Sequence, residues 1–123
     1  MAKHNMKLNP DDFDLVVSGK KTIEMRLFDE KRRKLSPNDE IVFQDTAFDR
    51  KLIVRVKSLH IFENFKDLYQ SFPKTVLGYK QDEEADFSDM EEYYSVEDIK
   101  KYGVIGILIQ VIDSDGFGKI NFF

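Results

Sequence analysis

Polar and apolar positions change period several times along the chain, and each change predicts an element. In "NPDDFDLVVSGKK", Phe13, Val16 and Val17 recur at i, i+3 and i+4, the spacing of one helical face. Asn9 suits the N-cap, Pro10 the first helical position, and Asp11 and Asp12 the positive end of the dipole. Gly19 can take the left-handed conformation that ends such a helix. From Lys21 to Phe28 the period falls to two, with Ile23, Met25 and Leu27 alternating against Thr22, Glu24 and Arg26. That pattern predicts a strand.

The polar stretch "DEKRRKLSPND" carries Pro37, Asn38 and Asp39 as turn residues. "EIVFQD" and "RKLIVRVKSLHIF" follow as strands, the second with Leu52, Val54 and Val56 on one face. "NFKDLYQSF" predicts a helix capped by Asn64, striped by Phe65, Leu68, Tyr69 and Phe72, and stopped by Pro73. Residues 81–92, "QDEEADFSDMEE", hold seven acids and no base and read as a loop. In "SVEDIKKYG", Ser95 and Asp98 resemble a capping box, and Gly103 suits the C-terminal cap. "VIGILIQVI" is the most apolar run and predicts a central strand, with an edge strand expected in "DGFGKINFF". The order is α β β β α, acidic loop, α β β. Strands do not alternate with long helices, so a doubly wound parallel sheet is disfavoured. The expected class is α+β: a small, mostly antiparallel β-barrel with about three short helices on its rim.

Composition narrows this little. The length of 123 residues predicts one domain, 1–123, without repeats or linkers. Eleven phenylalanines and no tryptophan predict a Phe-rich core. There is no cysteine, and His4 and His60 match no metal-ligand spacing, so no metal is expected. No nucleotide-loop, dinucleotide or hydrolase motif occurs, and no cofactor is expected. No 18-residue apolar run and no signal-peptide pattern is present, so no membrane span is expected and a cytoplasmic location is the default. The oligomeric state is left open, a monomer being the simpler expectation. Charge is more informative. The net value is −4, yet residues 1–80 hold 16 basic and 12 acidic side chains, and residues 81–123 hold 3 and 11. A basic surface can therefore exist on an acidic protein.

Three segments are candidates for chemistry. Glu24 and Arg26 lie on one strand face with Thr22, either solvated or turned into a cleft where they need partners. Lys31, Arg32, Arg33 and Lys34 are either phosphate contacts or a solvated loop. Glu91, Glu92, Tyr93 and Tyr94 precede a helix. They are either acid–base and base-stacking groups or helix-start acids with packed tyrosines. His60 reads as a structural or surface histidine.

"SGKKTIEMR" resembles the G-x-K-x-x-E-x-R signature of ASCH domains, in the PUA-like superfamily, here Gly19, Lys21, Glu24 and Arg26. "MKLNPDDFDLVVSG" is similar to the family's first helix. "LSPNDEIVF" is similar to its GD-x-I-x-F strand, with Asn38 where glycine is usual. "VEDIKKYGVIGILIQVI" resembles the closing helix and strand, so the likeness runs from about Lys7 to Ile112. The resemblance is to the small bacterial or phage type. It implies a PUA-like barrel whose signature strand lines a cleft, and RNA or a small nucleotide or nucleoside as partner.

One branch of the family hydrolyses N4-acetylcytidine with a lysine, a threonine and a glutamate, and some members are reported to cleave RNA. The resemblance places that lysine at Lys21 and the glutamate at Glu92, or Glu91. The threonine position is Glu24, a departure. It implies a cleft where Lys21, Glu24 and Glu92 form the catalytic set, with Lys20, Thr22, Arg26, Tyr93 and Tyr94 binding the ligand. The expected function is RNA or nucleotide binding. The alternatives are a nucleoside amidohydrolase and a non-catalytic regulatory domain using its acidic loop as an interface.

Overall fold

The computed structural model describes residues 1–114. Five strands form one mixed sheet: β1 (Lys3–Leu8), β2 (Ile23–Leu27), β3 (Glu40–Asp45), β4 (Lys51–Phe62) and β5 (Val104–Ser114). Their spatial order is β1-β3-β4-β5-β2. All pairings are antiparallel except β1 with β3. Three helices accompany them: α1 (Pro10–Val17), α2 (Phe65–Ser71) and α3 (Val96–Tyr102). The α+β class, the short helices and the largely antiparallel sheet match the sequence reading. The sheet curls into a half-barrel, helped by register shifts between β4 and β5 at Ile53/Val54 and Val56/Ser58.

Two apolar clusters lie on the two faces of this curl. The inner one holds Met6, Phe13, Phe43, Leu52, Ile105 and Ile107 among others. The outer one sets Ile23, Met25, Leu27 and Val104 against Phe65, Leu68 and Ile99 of α2 and α3. Each fully buried side chain of this size contributes about 1.5–3 kcal/mol. Because the apolar residues of β2 serve the outer cluster, its alternate residues turn inward. Glu24 pairs with Ile107 and Arg26 with Ile105, both inner-cluster residues.

Three features differ from the sequence reading. β1 was not expected: only Met6 and Leu8 of its six residues are buried, too short an apolar signal to stand out. The acidic segment is not wholly loop, since Phe87–Glu92 forms a 3-10 helix around buried Met90. Two further 3-10 turns occur at Arg32–Lys34 and Lys74–Leu77. The edge strand expected in residues 115–123 lies outside the described residues.

Candidate functional site

The helix α1 ends as its sequence predicts. Asn9 caps it by accepting from the Asp12 amide at 2.8 Å. Gly19, with φ of +79°, donates to the Val16 carbonyl, and Lys20 donates to that of Leu15. This 5→2 and 6→1 pair is a Schellman cap, which turns the chain sharply toward β2. The Lys21 amide also donates to Leu15, and that of Thr22 to Val76, so the backbone ahead of β2 is held at both residues.

The signature side chains then meet in a buried chain of charges. Lys21 Nζ lies 3.0 Å from Glu24 Oε1 and 3.4 Å from Asp12 Oδ1. Arg26 Nε and Nη2 both reach Glu24 Oε2 at 2.7 Å. Glu24 is 3% exposed and Lys21 5%, so neither belongs to a solvated ribbon. Burial alone would raise the Glu24 pKa, but Lys21 and Arg26 outweigh it and hold the carboxyl below its ordinary value. Burial likewise opposes the charge on Lys21, and Glu24 with Asp12 more than restores it, leaving that pKa raised.

Above this chain opens a cleft of about 390 Å³. Lys21, Glu24, Arg26 and Asp12 line it together with Lys7, Tyr69, Gly78, Tyr79, Glu83, Asp89, Tyr93 and Tyr94. The two tyrosines expected here divide in role. Tyr94 stacks on Phe65 with centroids 6.0 Å apart and packs against the outer cluster, whereas Tyr93 is 62% exposed at the cleft. Facing them, Tyr69 and Tyr79 share a hydroxyl contact of 2.9 Å, and Tyr79 donates to Asp89 Oδ2 at 2.6 Å. Burial, joined at Tyr79 by the bond to Asp89, raises both phenol pKa values, so both stay neutral at ordinary pH.

The structure distributes the other expected residues differently. Glu92 is exposed and does not line the cleft; the carboxylates that do so from the acidic segment are Asp89 and Glu83. Glu91 and Arg33 line a separate, more apolar hollow of about 810 Å³ with Phe62, Phe65 and Phe87. Thr22 and Lys20 lie beside the cleft without lining it. Of the basic cluster, Arg32 pairs with Asp29 at 3.1 Å, Arg33 lies 4.2 Å from the Phe28 ring centroid, Lys31 reaches the Asn5 carbonyl, and Lys34 is exposed. Lys7, Asp12, Tyr69, Tyr79 and Asp89 were missed as site residues; all but Tyr79 lay in segments already singled out for other reasons. Among the described residues no group of three or more His, Asp or Glu is placed to hold a metal ion, and no helix is long and apolar enough to cross a membrane.

A curled five-stranded sheet with flanking helices, carrying a buried Lys–Glu–Arg chain at the mouth of the curl, defines an α+β domain of the PUA-like kind. The family model of the ASCH domain matches residues 6–110, and the chain belongs to that family. It is similar to the crystal structure of the hypothetical protein PH0355 at 33% identity and a TM-score of 0.76, over 89% of this chain and 99% of that one. It is also similar to protein PF0455 from Pyrococcus furiosus, at 30% identity and a TM-score of 0.66, over 90% and 98%. A mutant ASCH protein from Zymomonas mobilis shares the fold at 14% identity and a TM-score of 0.65, over 93% and 75%. No curated protein matches the sequence.

Proposed function

We propose that the protein binds RNA or a nucleotide, taking one base into the tyrosine-walled cleft. The observation that carries this reading is the buried Lys21–Glu24–Arg26 chain beneath an exposed aromatic ring, Tyr93. An ammonium has three donors, and Glu24 with Asp12 takes two, leaving one for a ligand acceptor. Asp89 and Glu83 offer acceptors for the amino group of a base, and Tyr93 offers a stacking face. The family's RNA-binding-like fold supports the same reading.

Binding fits the electrostatics better than hydrolysis does. A general base works best with a pKa near the working pH. Both oxygens of Glu24 are engaged and its pKa is lowered, so it is a weak base. Lys21 is held protonated and cannot act as a nucleophile. Titration with the four ribonucleoside monophosphates and short single-stranded RNAs, followed by calorimetry and amide shifts, tests the reading. Binding that Tyr93→Ala weakens by about 1–3 kcal/mol is expected. No shift around the cleft at millimolar ligand would overturn it. Incubation with N4-acetylcytidine, with Lys21→Ala as control, is expected to release no cytidine; turnover would replace binding with the amidohydrolase reading.

A further inference from the structure

The half-barrel has an open seam where edge strands β1 and β2 approach without pairing. Cationic side chains bridge it. Arg26 Nη2 donates to the Lys7 carbonyl at 2.5 Å, and Lys31 Nζ donates to the Asn5 carbonyl, two residues back on the same edge. Outside these bridges the seam forms a groove of about 510 Å³. Lys7, Arg26, Lys31, Arg32 and Lys51 line it, and among the described residues no acidic side chain does. Glu24 and Asp29 engage the two arginines but do not face the groove.

The cleft is charged differently. Its cations Lys7, Lys21 and Arg26 are outnumbered by Asp12, Glu24, Glu83 and Asp89. A free anion has little reason to enter it. The groove and the cleft nevertheless meet, because Lys7 and Arg26 line both. Neither arginine is saturated. The Nε of Arg32 is buried without a hydrogen-bond partner, and Arg26 uses Nε and Nη2 but has no protein acceptor for Nη1 among the described residues. A guanidinium with unused donors beside lysines is suited to a phosphate.

We infer that the seam groove is a phosphate subsite for the ligand whose base occupies the cleft. The ligand is therefore a nucleotide or an RNA strand rather than a free nucleoside. This rests on the base-binding reading of the cleft. It also divides the basic cluster: Lys31 and Arg32 serve the phosphate, while Arg33 and Lys34 point elsewhere.

The test compares each ribonucleoside with its 5′- and 3′-monophosphates, with inorganic phosphate as a separate probe, using the full chain at low salt. One of the two phosphates should tighten binding about tenfold, as for one charge-assisted contact. Lys51→Gln and Lys31→Gln should each reduce that advantage and the pair should reduce it further, leaving nucleoside affinity unchanged. Lys34→Gln, equal in charge and outside the groove, should change nothing. Since Lys31 also bridges the seam, Lys51→Gln keeps the test valid if the Lys31 variant unfolds. Nucleosides that bind as tightly as their phosphates would overturn the subsite and leave the cleft reading standing. An equal loss in Lys34→Gln would also overturn it, since diffuse charge would then explain the gain. If no base-containing probe binds, the cleft reading fails; amide shifts at the groove with inorganic phosphate would then uphold an anion site, and their absence would end that as well.

Discussion

Glu24 holds two cations that burial would otherwise oppose. Removing one partner of such a group leaves the others uncompensated, which costs about 3–5 kcal/mol. Glu24→Gln should therefore lower stability by that order in a urea titration, with little change in the slope. The same network sets a pH response. A carboxyl whose folded pKa is lowered contributes stability above its unfolded value, about 4.3, and loses it as pH falls through the folded one. Lys21 acts in the opposite sense: its pKa is raised, so its contribution is complete below its unfolded value, about 10.4, and is lost as pH rises through the folded one. Melting temperature against pH should fall at both extremes, and Glu24→Gln should flatten the acid limb. Gly78 guards the same site. Its φ is +108°, and a Cβ there would sit 3.2 Å from Lys21 Cδ. Gly78→Ala should cost about 1–3 kcal/mol and weaken ligand binding as Lys21 shifts, both readable in one calorimetric series. At this scale the sequence was legible where spacing alone set the geometry, from Gly19 to Arg26. Asp12, Tyr79 and Asp89 come from three other segments and converge only through tertiary packing, which no local period encodes. The resemblance placed the second carboxylate at Glu92, or Glu91, and a run of acids has no periodicity to show that Asp89 lines the cleft instead.

Elements were legible in proportion to the apolar surface they bury. β4, β5 and the three helices carry long stripes or clear caps. β1 buries two apolar side chains and is placed instead by polar contacts. Asp39 is 5% exposed and accepts from the Ala2 amide, the Ser36 amide and His4 Nε2 at 3.0, 3.0 and 2.8 Å. Asn38 precedes it with φ of +76°, which accounts for a residue tolerant of that conformation where the family usually has glycine. The hydrogen bond from His4 leads the causes that hold the Asp39 pKa down, and burial opposes them. Its contribution is therefore present above about pH 3.9 and lost as pH falls through the folded value. Asp39→Ala should strand three donors, each worth about 1–3 kcal/mol if left buried and unmet. Amide exchange in residues 3–8 should accelerate tenfold or more while β5 keeps its protection. Equal acceleration in both strands would mean that β1 is not a separately held edge.

Across the whole molecule, net acidity and the proposed nucleotide- or RNA-binding role are compatible because the charges are segregated. The excess acid lies after residue 80, where several carboxylates also hold the fold: Asp86 caps the Phe87–Glu92 turn, while Asp89 accepts from Tyr79 through Oδ2 and Glu83 from the Lys80 amide through Oε1, each with its other oxygen left for a ligand. The cations of the seam come instead from β1, β2, β4 and the turn after β2. The consequence is a modest salt dependence. Arg26 and Arg32 already have carboxylate partners, so phosphate binding releases few counterions on their account. Counterion release then comes chiefly from the groove lysines Lys7 and Lys31. With two such contacts, log K for a short single-stranded RNA should fall against log salt with a slope of about −1.4. Each lysine-to-glutamine change should make it shallower by about 0.7. A slope near −4 would mean that the strand runs beyond the seam onto other basic surface, and a flat response would mean that the phosphates stay in solvent while only the base is held.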